Sequence, residues 1–231
     1  MIILQRLFRV LAMIQITDYI NNDFKAIDSQ ENIESVRDFF EEIHFSHFPV
    51  TEDGVYIGCI SANDLETFDF DKKINHYRYT LETFYVRTNM IWLDVLEIFG
   101  KNQTDIMPVL DENNQYVGYY EITDIIKFFH ETPFLKEAGR IIIVEKPILD
   151  FSIGQIVQII ESNNGKIWGL FISDTTIDTV QVMIKINIGP INEIIQTFRR
   201  YAYEIISEHH EDNYIKNLRE RADYLDKYLN T

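Results

Sequence analysis

An internal repeat constrains the fold of this chain more than any other feature of its sequence. Residues 47–65 read HFPVTEDGVYIGCISANDL, and about sixty residues later residues 106–125 read IMPVLDENNQYVGYYEITDI. The two segments share three landmarks at closely matched spacing: Pro49 and Pro108, Gly58 and Gly118, and Asp64 and Asp124. The spacings differ by one residue, which falls in the polar turns, where an insertion costs little stability. The pattern predicts one folding unit built twice.

The match extends upstream of both segments. Residues 25–40 align without gaps to residues 84–99, and each copy starts with a short β-prone stretch followed by a residue that can cap a helix, Ser29 or Thr88. Apolar residues then recur at helical spacing: Ile33, Val36, Phe39 and Phe40 in one copy, and Trp92, Val95, Ile98 and Phe99 in the other. After the glycines, DLETF and DIIKFF indicate further helices. The sequence therefore predicts a β-α-β-β-α unit twice, joined by residues 69–82.

The repeated glycine and aspartate suggest a ligand cleft. Glycine lets a ligand or a neighbouring strand approach the backbone closely. The following helix offers free N–H groups to a phosphate at its N-terminus. An aspartate six residues after the glycine can accept hydrogen bonds from a ribose diol. The alternative is that Asp64 and Asp124 only cap their helices.

This order of elements, with its h-P-V strand and G-h-h-S/T-x-x-D motif, resembles the CBS (cystathionine β-synthase) domain, and the tandem pair resembles a Bateman module. The resemblance covers residues 14–130. It implies that the aspartate holds ribose, that the Ser or Thr three residues earlier holds phosphate, and that the h-P-V strand frames adenine. The first nucleotide site then comprises Asp64, Ser61, Gly58, His47, Phe48 and Pro49. The second comprises Asp124, Gly118, Met107 and Pro108.

The second copy departs from the motif at the phosphate position, where it carries Glu121 instead of Ser or Thr. A carboxylate there repels phosphate. Neither copy has a Lys or Arg between the glycine and the aspartate, and the whole chain has a net charge of -16. An adenosine derivative with little negative charge therefore fits this chain better than a triphosphate does.

The C-terminal third changes pattern after residues 130–139, a predicted linker. A short apolar strand, a helix capped by Ser152, a hairpin, a helix with Pro190 in its first turn and a last strand at 202–208 follow one another. This βαββαβ order is ferredoxin-like. Behind a CBS pair it resembles the ACT-type domain of acetoin-utilisation-type CBS–ACT proteins. ACT domains that bind amino acids usually carry a glycine before the first helix, whereas Gly154 falls inside it, so no amino-acid site is assigned.

The predicted fold class is α+β, with tandem CBS repeats, a ferredoxin-like ACT-type domain and a C-terminal helix. The predicted limits are 13–70 and 71–131 for the CBS domains, 140–208 for the ACT-like domain and 212–230 for the helix. Residues 1–12 are apolar with two arginines and are either an extension or a mis-assigned start, with Met13 as the alternative. The tail carries apolar residues at 3-4 spacing, which either dock on their own chain or contribute to a dimer seam: Ile215, Leu218, Ala222, Leu225 and Leu229.

Composition narrows the function. With 37 acidic and 21 basic residues, the chain lacks the basic surface that nucleic acid or an anionic membrane requires. The single cysteine, Cys59, lies in an apolar run and indicates buried packing in a reducing cytoplasm. The six histidines, including His44 and His47 and the pair His209 and His210, do not form a metal-binding pattern, and no catalytic motif is present.

These observations favour a non-catalytic, cytoplasmic regulatory protein. Its CBS pair would bind an adenine nucleotide or adenosine derivative as a regulatory ligand, with no cofactor required. Its ACT-like domain would mediate oligomerisation, as a homodimer, or receive a second input, and a regulated protein partner is implied. The alternative is a ligand-free interaction scaffold with vestigial CBS clefts. An enzyme with an unrecognised site is the third hypothesis.

Overall fold

The computed structural model describes residues 16–189, 191–207 and 221. The chain divides into two compact units, of which the first ends at Phe129 and the second starts at His130. The predictions for residues 1–12, for Met13, for Pro190, for His209 and His210 and for the C-terminal helix lie outside the described residues. Within the described ranges, no helix is long and apolar enough to cross a membrane.

The first unit contains the predicted β-α-β-β-α order twice. The first copy consists of β1 (Ile27–Asp28), α1 (Ile33–Ile43), β2 (His47–Glu52), β3 (Val55–Ser61) and α2 (Ala62–Leu65). The second consists of β4 (Val86–Arg87), α3 (Trp92–Asn102), β5 (Ile106–Leu110), β6 (Tyr116–Glu121) and α4 (Ile122–His130). In each sheet the middle strand is parallel to the first strand and antiparallel to the third. The prediction of a duplicated unit is confirmed.

Both sheets carry an irregularity at the same place. The register of strand pairing shifts between Val50 and Thr51 in the β2–β3 pair, and between Val109 and Leu110 in the β5–β6 pair. A bulge increases the local twist of a strand pair and bends it. Each copy therefore bends its hairpin at equivalent positions, just before the polar turn.

Each copy contributes buried residues to the core of the other. The cluster around Ile33 and Phe48 includes Ile106 and Tyr119 from the second copy. The cluster around Val95 and Phe99 includes Cys59 from the first. Since Cys59 and Tyr119 occupy equivalent positions of the repeat, the two copies cover each other reciprocally, and burial of this apolar surface stabilises the pair.

Backbone pairing also crosses between the copies. Asn21 exchanges two hydrogen bonds with Tyr119, with N–O distances of 2.8 and 3.0 Å, and Glu82 exchanges two with Cys59, at 2.9 and 2.7 Å. The segment that precedes each copy is thus paired with the last strand of the other copy.

Two local predictions in the first unit are wrong. Ser29 and Thr88 do not cap α1 and α3, which begin at Ile33 and Trp92. Ser29 is fully buried and its N–H donates to Thr51 O, so its backbone extends the strand pairing of β1. DLETF is not a helix beyond Leu65. The segment 69–82 joins the two copies as predicted, and it contains a 3-10 helix, Ile74–Thr80.

The second unit has the predicted element order, with β7 (Gly139–Pro147), α6 (Ile153–Ser162), β8 (Ile167–Thr175), β9 (Thr179–Asn187), α7 (Ile191–Arg200) and β10 (Glu204–Ile205). The strands are antiparallel in the order β10-β7-β9-β8. Ser152 caps α6 as predicted, since its Oγ accepts from Gln155 N. The last strand is two residues long, shorter than predicted.

One face of this sheet packs against α6 and α7. Val180, Val182, Ile184 and Ile186 alternate inward along β9 as predicted, and they form one cluster with residues of both helices. The predicted linker 130–139 contains a short helix, α5 (Pro133–Lys136). A proline in the first turn of α5 favours this helix, since its fixed φ angle suits that position.

Candidate functional site

The space in front of Gly58 is occupied by the chain itself. Gly58 has a φ of 149°, and a Cβ there would lie 2.8 Å from Leu81 Cβ and 3.2 Å from Glu82 O. Of the two predicted uses of this glycine, close approach by a neighbouring strand is the one observed. The segment of Leu81 and Glu82 leads into the second copy and lies against Gly58.

Gly118 has the same role in the second cleft. Its φ is 156°, and a Cβ would lie 2.5 Å from both Ile20 Cγ2 and Asn22 Oδ1 and 2.6 Å from Asn21 O. Only a glycine admits this approach without strain. The two glycines therefore hold the crossed backbone pairing in place.

His47 and Ser61 face each other across β2 and β3, where they are register partners. The His47 side chain is 12% exposed; its Nε2 lies 3.3 Å from Glu82 Oε1 and its Nδ1 lies 2.9 Å from Ser46 Oγ. Ser61 is buried, and its Oγ accepts from Asn63 N at 3.2 Å. The structure thus brings together two residues that the motif places fourteen positions apart, and it adds Glu82, which the sequence reasoning missed.

Asp64 is the third residue of α2, just beyond this pair. Because Ser61 occupies the N-cap and bonds to Asn63, Asp64 is not the cap, and its side chain is partly exposed. α2 is only four residues long. A dipole that sums over so few peptide units is weak, so the helix dipole adds little to the predicted phosphate seat at Ser61.

Phe48 and Pro49 are buried, and only their backbone could meet a ligand. The Phe48 ring packs in an aromatic cluster, with its centroid 4.8 Å from that of Phe39 and 5.7 Å from that of Tyr119. β1 pairs with Val50 and Thr51 of β2. Residues 47–49 therefore lie outside the pairing of β1 with β2. Backbone contact with an adenine on that side of β2 would require this.

The second cleft is rich in carboxylates. Glu121 accepts from Asn21 Nδ2 and from Thr123 Oγ1, both at 3.3 Å, and Asp124 Oδ1 pairs with Lys127 Nζ at 3.0 Å. Met107 and Pro108 of β5 are buried opposite Tyr120 and Tyr119. The arrangement fits the expected repulsion of phosphate.

The pKa of Tyr119 reflects the negative charge of the second cleft. Its side chain is fully buried, and its hydroxyl has no hydrogen-bond partner among the described residues. Burial is the largest of the causes that raise the pKa of Tyr119 to about 12, and the negative charges of Glu121, Asp23 and Asp124 act in the same direction. The negative potential at this hydroxyl therefore comes from three separate carboxylates.

Cys59 is fully buried, and its prediction as a packing residue is confirmed. The Tyr56 hydroxyl donates to Phe84 O at 2.6 Å and lies 3.3 Å from Cys59 Sγ. Burial raises the pKa of the Cys59 thiol and that of the Tyr56 hydroxyl. A neutral, buried thiol is a poor nucleophile.

Within residues 16–189 and 191–207, no group of three or more His, Cys, Asp or Glu side chains could hold a metal ion. His44 ends α1 in a left-handed conformation, with a φ of 53°. A cavity of about 180 Å³ lies between α1 and α2, lined by residues such as Arg37, Leu65 and Glu66. None of the predicted ligand residues lines it.

The fold and the cleft geometry define the first unit as a duplicated β-α-β-β-α module whose copies are joined by reciprocal pairing. Residues 16–68 and 80–131 each match the family model of the CBS domain. The first unit is thus a tandem CBS-domain pair.

Two curated relatives are similar to this chain, and both are uncharacterized proteins of Methanocaldococcus jannaschii. One is 25% identical over 130 residues, which cover 56% of this chain and 49% of the relative. The other is 31% identical over 90 residues, which cover 38% of this chain and 30% of the relative. The chain thus spans half or less of the length of these relatives.

Among solved structures, a CBS domain pair/ACT domain protein from Thermotoga maritima is 19% identical, with a TM-score of 0.46, over 51% of this chain and 97% of that one. CBSX2, solved in complex with AMP, is 15% identical, with a TM-score of 0.41, over 49% of this chain and 94% of that one.

Proposed function

We propose that this chain is a non-catalytic, cytoplasmic regulatory protein that binds an adenosine-type ligand in the first cleft of its CBS pair. The observation that carries the proposal is the placement of His47 opposite Ser61, with Asp64 one turn further along the chain. This is the motif of the CBS domain, within residues 16–68 that match the family model.

Each residue of the first cleft has a separate role in this proposal. The Asp64 carboxylate accepts hydrogen bonds from the ribose diol. Ser61 Oγ, which accepts one bond from Asn63 N, has a hydroxyl hydrogen to donate to a phosphate oxygen. The backbone of residues 47–49, beyond the β1 ladder, frames the adenine edge.

Charge selects the ligand within this class. Glu82, whose side chain is 49% exposed, and Asp64 both lie at the first cleft, in a chain of net charge -16. Each added phosphate increases the repulsion, which salt screens. We therefore infer that adenosine and AMP bind more tightly than ADP and ATP, and that raising the salt concentration narrows the difference.

The second cleft takes no phosphorylated ligand in this proposal. Glu121 stands where the motif needs a hydroxyl donor, and Asp23 and Asp124 add to the negative charge around Tyr119. A phosphate at this position would face carboxylates that are already held by Asn21 and Lys127.

The second unit is proposed as an ACT-like, ferredoxin-like domain over residues 140–208 that holds the protein as a homodimer, behind CBS domains at 13–70 and 71–131. The support is β8, an edge strand of nine residues that pairs on one side with β9. Natural edge strands are usually blunted by Lys, Pro or short length. β8 instead exposes Phe171 (46%) and Ile172 (49%), and pairing of two β8 strands would join the two sheets.

Thermal unfolding of the purified chain with adenosine, AMP, ADP and ATP tests the ligand proposal. A ligand at 100 times its dissociation constant adds about 2.7 kcal/mol of stability, which raises Tm by roughly 5 to 11 °C for a chain of this size. The shift should be lost in Asp64→Ala and kept in Asp124→Ala, the equivalent change in the second cleft. Loss of the shift in both variants, or in Asp124→Ala alone, would contradict the assignment of the first cleft.

Light scattering after size exclusion tests the dimer. Ile172→Lys should convert a dimer to a monomer, because it places a charge on the β8 edge. Ile177→Lys is the matched control, since Ile177 is 90% exposed in the turn after β8 and should leave the dimer intact. A wild-type chain that is monomeric at every concentration tested would refute the proposal.

A ligand-free interaction scaffold is the second candidate, and one observation favours it. The glycines of both clefts are approached by the chain itself, and the cavity between α1 and α2 lies away from the motif residues. If no nucleotide in the panel changes Tm while a protein partner co-purifies, this candidate replaces the sensor.

A further inference from the structure

A surface cavity of about 460 Å³ lies along α7 in the second unit. Its volume falls in the range of small-molecule sites. The described residues that line it are all polar, with three carboxamides, one carboxylate and one guanidinium: Asn163, Asn192, Gln196, Glu193 and Arg200. Four of them belong to α7, and Asn163 follows the last residue of α6. Since all five lie in the second unit, this cavity is not one of the two CBS clefts.

A buried hydroxyl connects the two sides of the cavity. Thr197 is 6% exposed, and its Oγ1 accepts from Arg200 Nη2 at 2.7 Å and from Asn163 Nδ2 at 3.2 Å. The same hydroxyl donates to Glu193 O at 2.8 Å. Because a hydroxyl has one hydrogen and two lone pairs, these three bonds satisfy it completely. The guanidinium and the Asn163 amide are therefore held in place before a ligand binds, which lowers the entropic cost of binding.

Other polar groups of the cavity have no partner within the described part of the chain. Asn192 Oδ1 is buried and accepts no hydrogen bond there, and an unpaired buried acceptor destabilises the fold. The side chains of Glu193 and Gln196 likewise make no hydrogen bond or ion pair with a described residue. Arg200 uses one of its five N–H donors, for Thr197. The cavity thus offers both donors and acceptors to a ligand.

The carboxamides distinguish this surface from an ordinary helix surface. Glu193 in the first turn of α7 and Arg200 in the last turn suit the helix dipole without any ligand. Asn192 and Gln196 lie four residues apart on the same side of the helix, and each offers a carbonyl acceptor and an NH₂ donor. Main-chain peptide groups present the complementary N–H and C=O. Rotation about χ2 of Asn192 exchanges its Oδ1 and Nδ2, so a ligand N–H can satisfy the unpaired acceptor.

The spacing of the two charged residues sets the length of the ligand. Glu193 and Arg200 are seven residues apart in α7, which corresponds to about 10 Å along the helix. Three extended residues span roughly 10 Å, whereas a single residue spans about 3.5 Å. A free amino acid is therefore too short to place its ammonium at Glu193 and its carboxylate at Arg200 at the same time.

We propose that the cavity along α7 binds a short zwitterionic peptide of about three residues. Arg200 pairs with the C-terminal carboxylate of the peptide, through two parallel hydrogen bonds, and Glu193 pairs with its N-terminal ammonium. The carboxamides of Asn192 and Gln196 hydrogen-bond to its peptide groups. Such a peptide has no net charge, so the net charge of -16 on the chain does not repel it. The site depends neither on nucleotide binding nor on the β8 edge.

Calorimetric titration of the full chain with trialanine tests the proposal, because trialanine offers both termini and the peptide groups with only methyl side chains. Trialanine should bind, and free alanine should give no measurable binding. The C-terminal amide and the N-acetyl form of trialanine should each bind about tenfold more weakly, since each lacks one charge-assisted hydrogen-bonded pair. In Arg200→Gln the amide and the free acid should bind equally, and in Glu193→Gln the acetylated and the free amine should bind equally. Both residues are exposed, so both variants should keep the fold.

Lys166→Gln is the matched control. It removes one positive charge from an exposed residue that does not line the cavity, and it should keep the preference for the free acid. Loss of this preference in Lys166→Gln as well as in Arg200→Gln would show that net charge, and not Arg200, governs binding. The proposal is also overturned if trialanine gives no binding at millimolar concentration, if alanine binds as tightly as trialanine, or if the capped forms bind the wild-type chain as tightly as the free peptide does.

Discussion

Replacing Gly118 with alanine should strongly destabilise the CBS pair. The new Cβ would lie 2.5 Å from Ile20 Cγ2 and 2.6 Å from the carbonyl oxygen of Asn21. Because the second of these atoms belongs to the backbone, a rotamer change cannot relieve the clash. The segment around Asn21 has to move away from β6.

The magnitude follows from three contributions. Movement of Asn21 breaks its two hydrogen bonds with Tyr119, each of which contributes about 1 kcal/mol. Overpacking costs about 1–3 kcal/mol, and a φ of 156° on a residue with a side chain costs about 1–3 kcal/mol. Since relaxation trades one contribution against another, we expect about 3–5 kcal/mol in total, or roughly 6–20 °C in Tm.

Gly100→Ala is the matched control. Gly100 lies in α3, and a Cβ added there would meet no atom within 4 Å, so alanine should stabilise the helix by about 0.5–1 kcal/mol. Fluorescence of Trp92 in a Trp168→Phe background follows the first unit alone, because Trp168 lies in the second. If Gly118→Ala unfolds at the same temperature as Gly100→Ala, the crossed pairing does not stabilise the pair.

Three further predictions concern buried or half-buried polar groups. Ser46→Asp should lower the free energy of unfolding in urea by about 2–4 kcal/mol, because Ser46 Oγ lies 2.8 Å from Asp105 Oδ1 and a second carboxylate would repel the first. The exchange Ser46→Asp/Asp105→Ser should recover most of this loss of stability. The free energy of unfolding should fall as pH rises above about 9, the ordinary pKa of a thiol. The pKa values of Cys59 and Tyr56 are raised in the folded chain, so both groups stay protonated there at a pH at which they ionise in the unfolded chain. A urea midpoint that is unchanged between about pH 8 and pH 10 would contradict this. Lys146→Met should cost about 1–3 kcal/mol by thermal unfolding, because the buried ammonium donates two hydrogen bonds, at 2.8 and 2.9 Å.

The sequence predicted those elements whose signal is local. Helical spacing from Ile33 to Phe40 and strict alternation from Val180 to Ile186 report directly which side of an element meets the core, and both are confirmed. Ser29 and Thr88 were misread because a capping residue type carries no information on distant pairing. Ser29 bonds instead to Thr51, twenty-two residues away.

The sequence predicted only those features of the candidate site that follow from comparing the two copies of the repeat. Comparing the copies aligned Ser61 with Glu121 and exposed the charge difference between the clefts. It did not reveal that Glu82 lies against His47, because that contact depends on the segment before one copy pairing with the last strand of the other. Such crossed pairing leaves no periodic trace in a single sequence.

The junction between the copies shows what duplication within one chain permits. Ser46 and Asp105 are equivalent residues of the repeat, and they bond to each other: Ser46 N lies 3.0 and 3.1 Å from the two carboxylate oxygens. Two identical chains related by a twofold axis would bring Ser to Ser or Asp to Asp at this point, and neither pairing supplies both the charge and the donors. Because both copies belong to one chain, one could become the donor and the other the acceptor. The same freedom separates Ser61 from Glu121, so the two clefts need not bind the same ligand even though their backbones correspond.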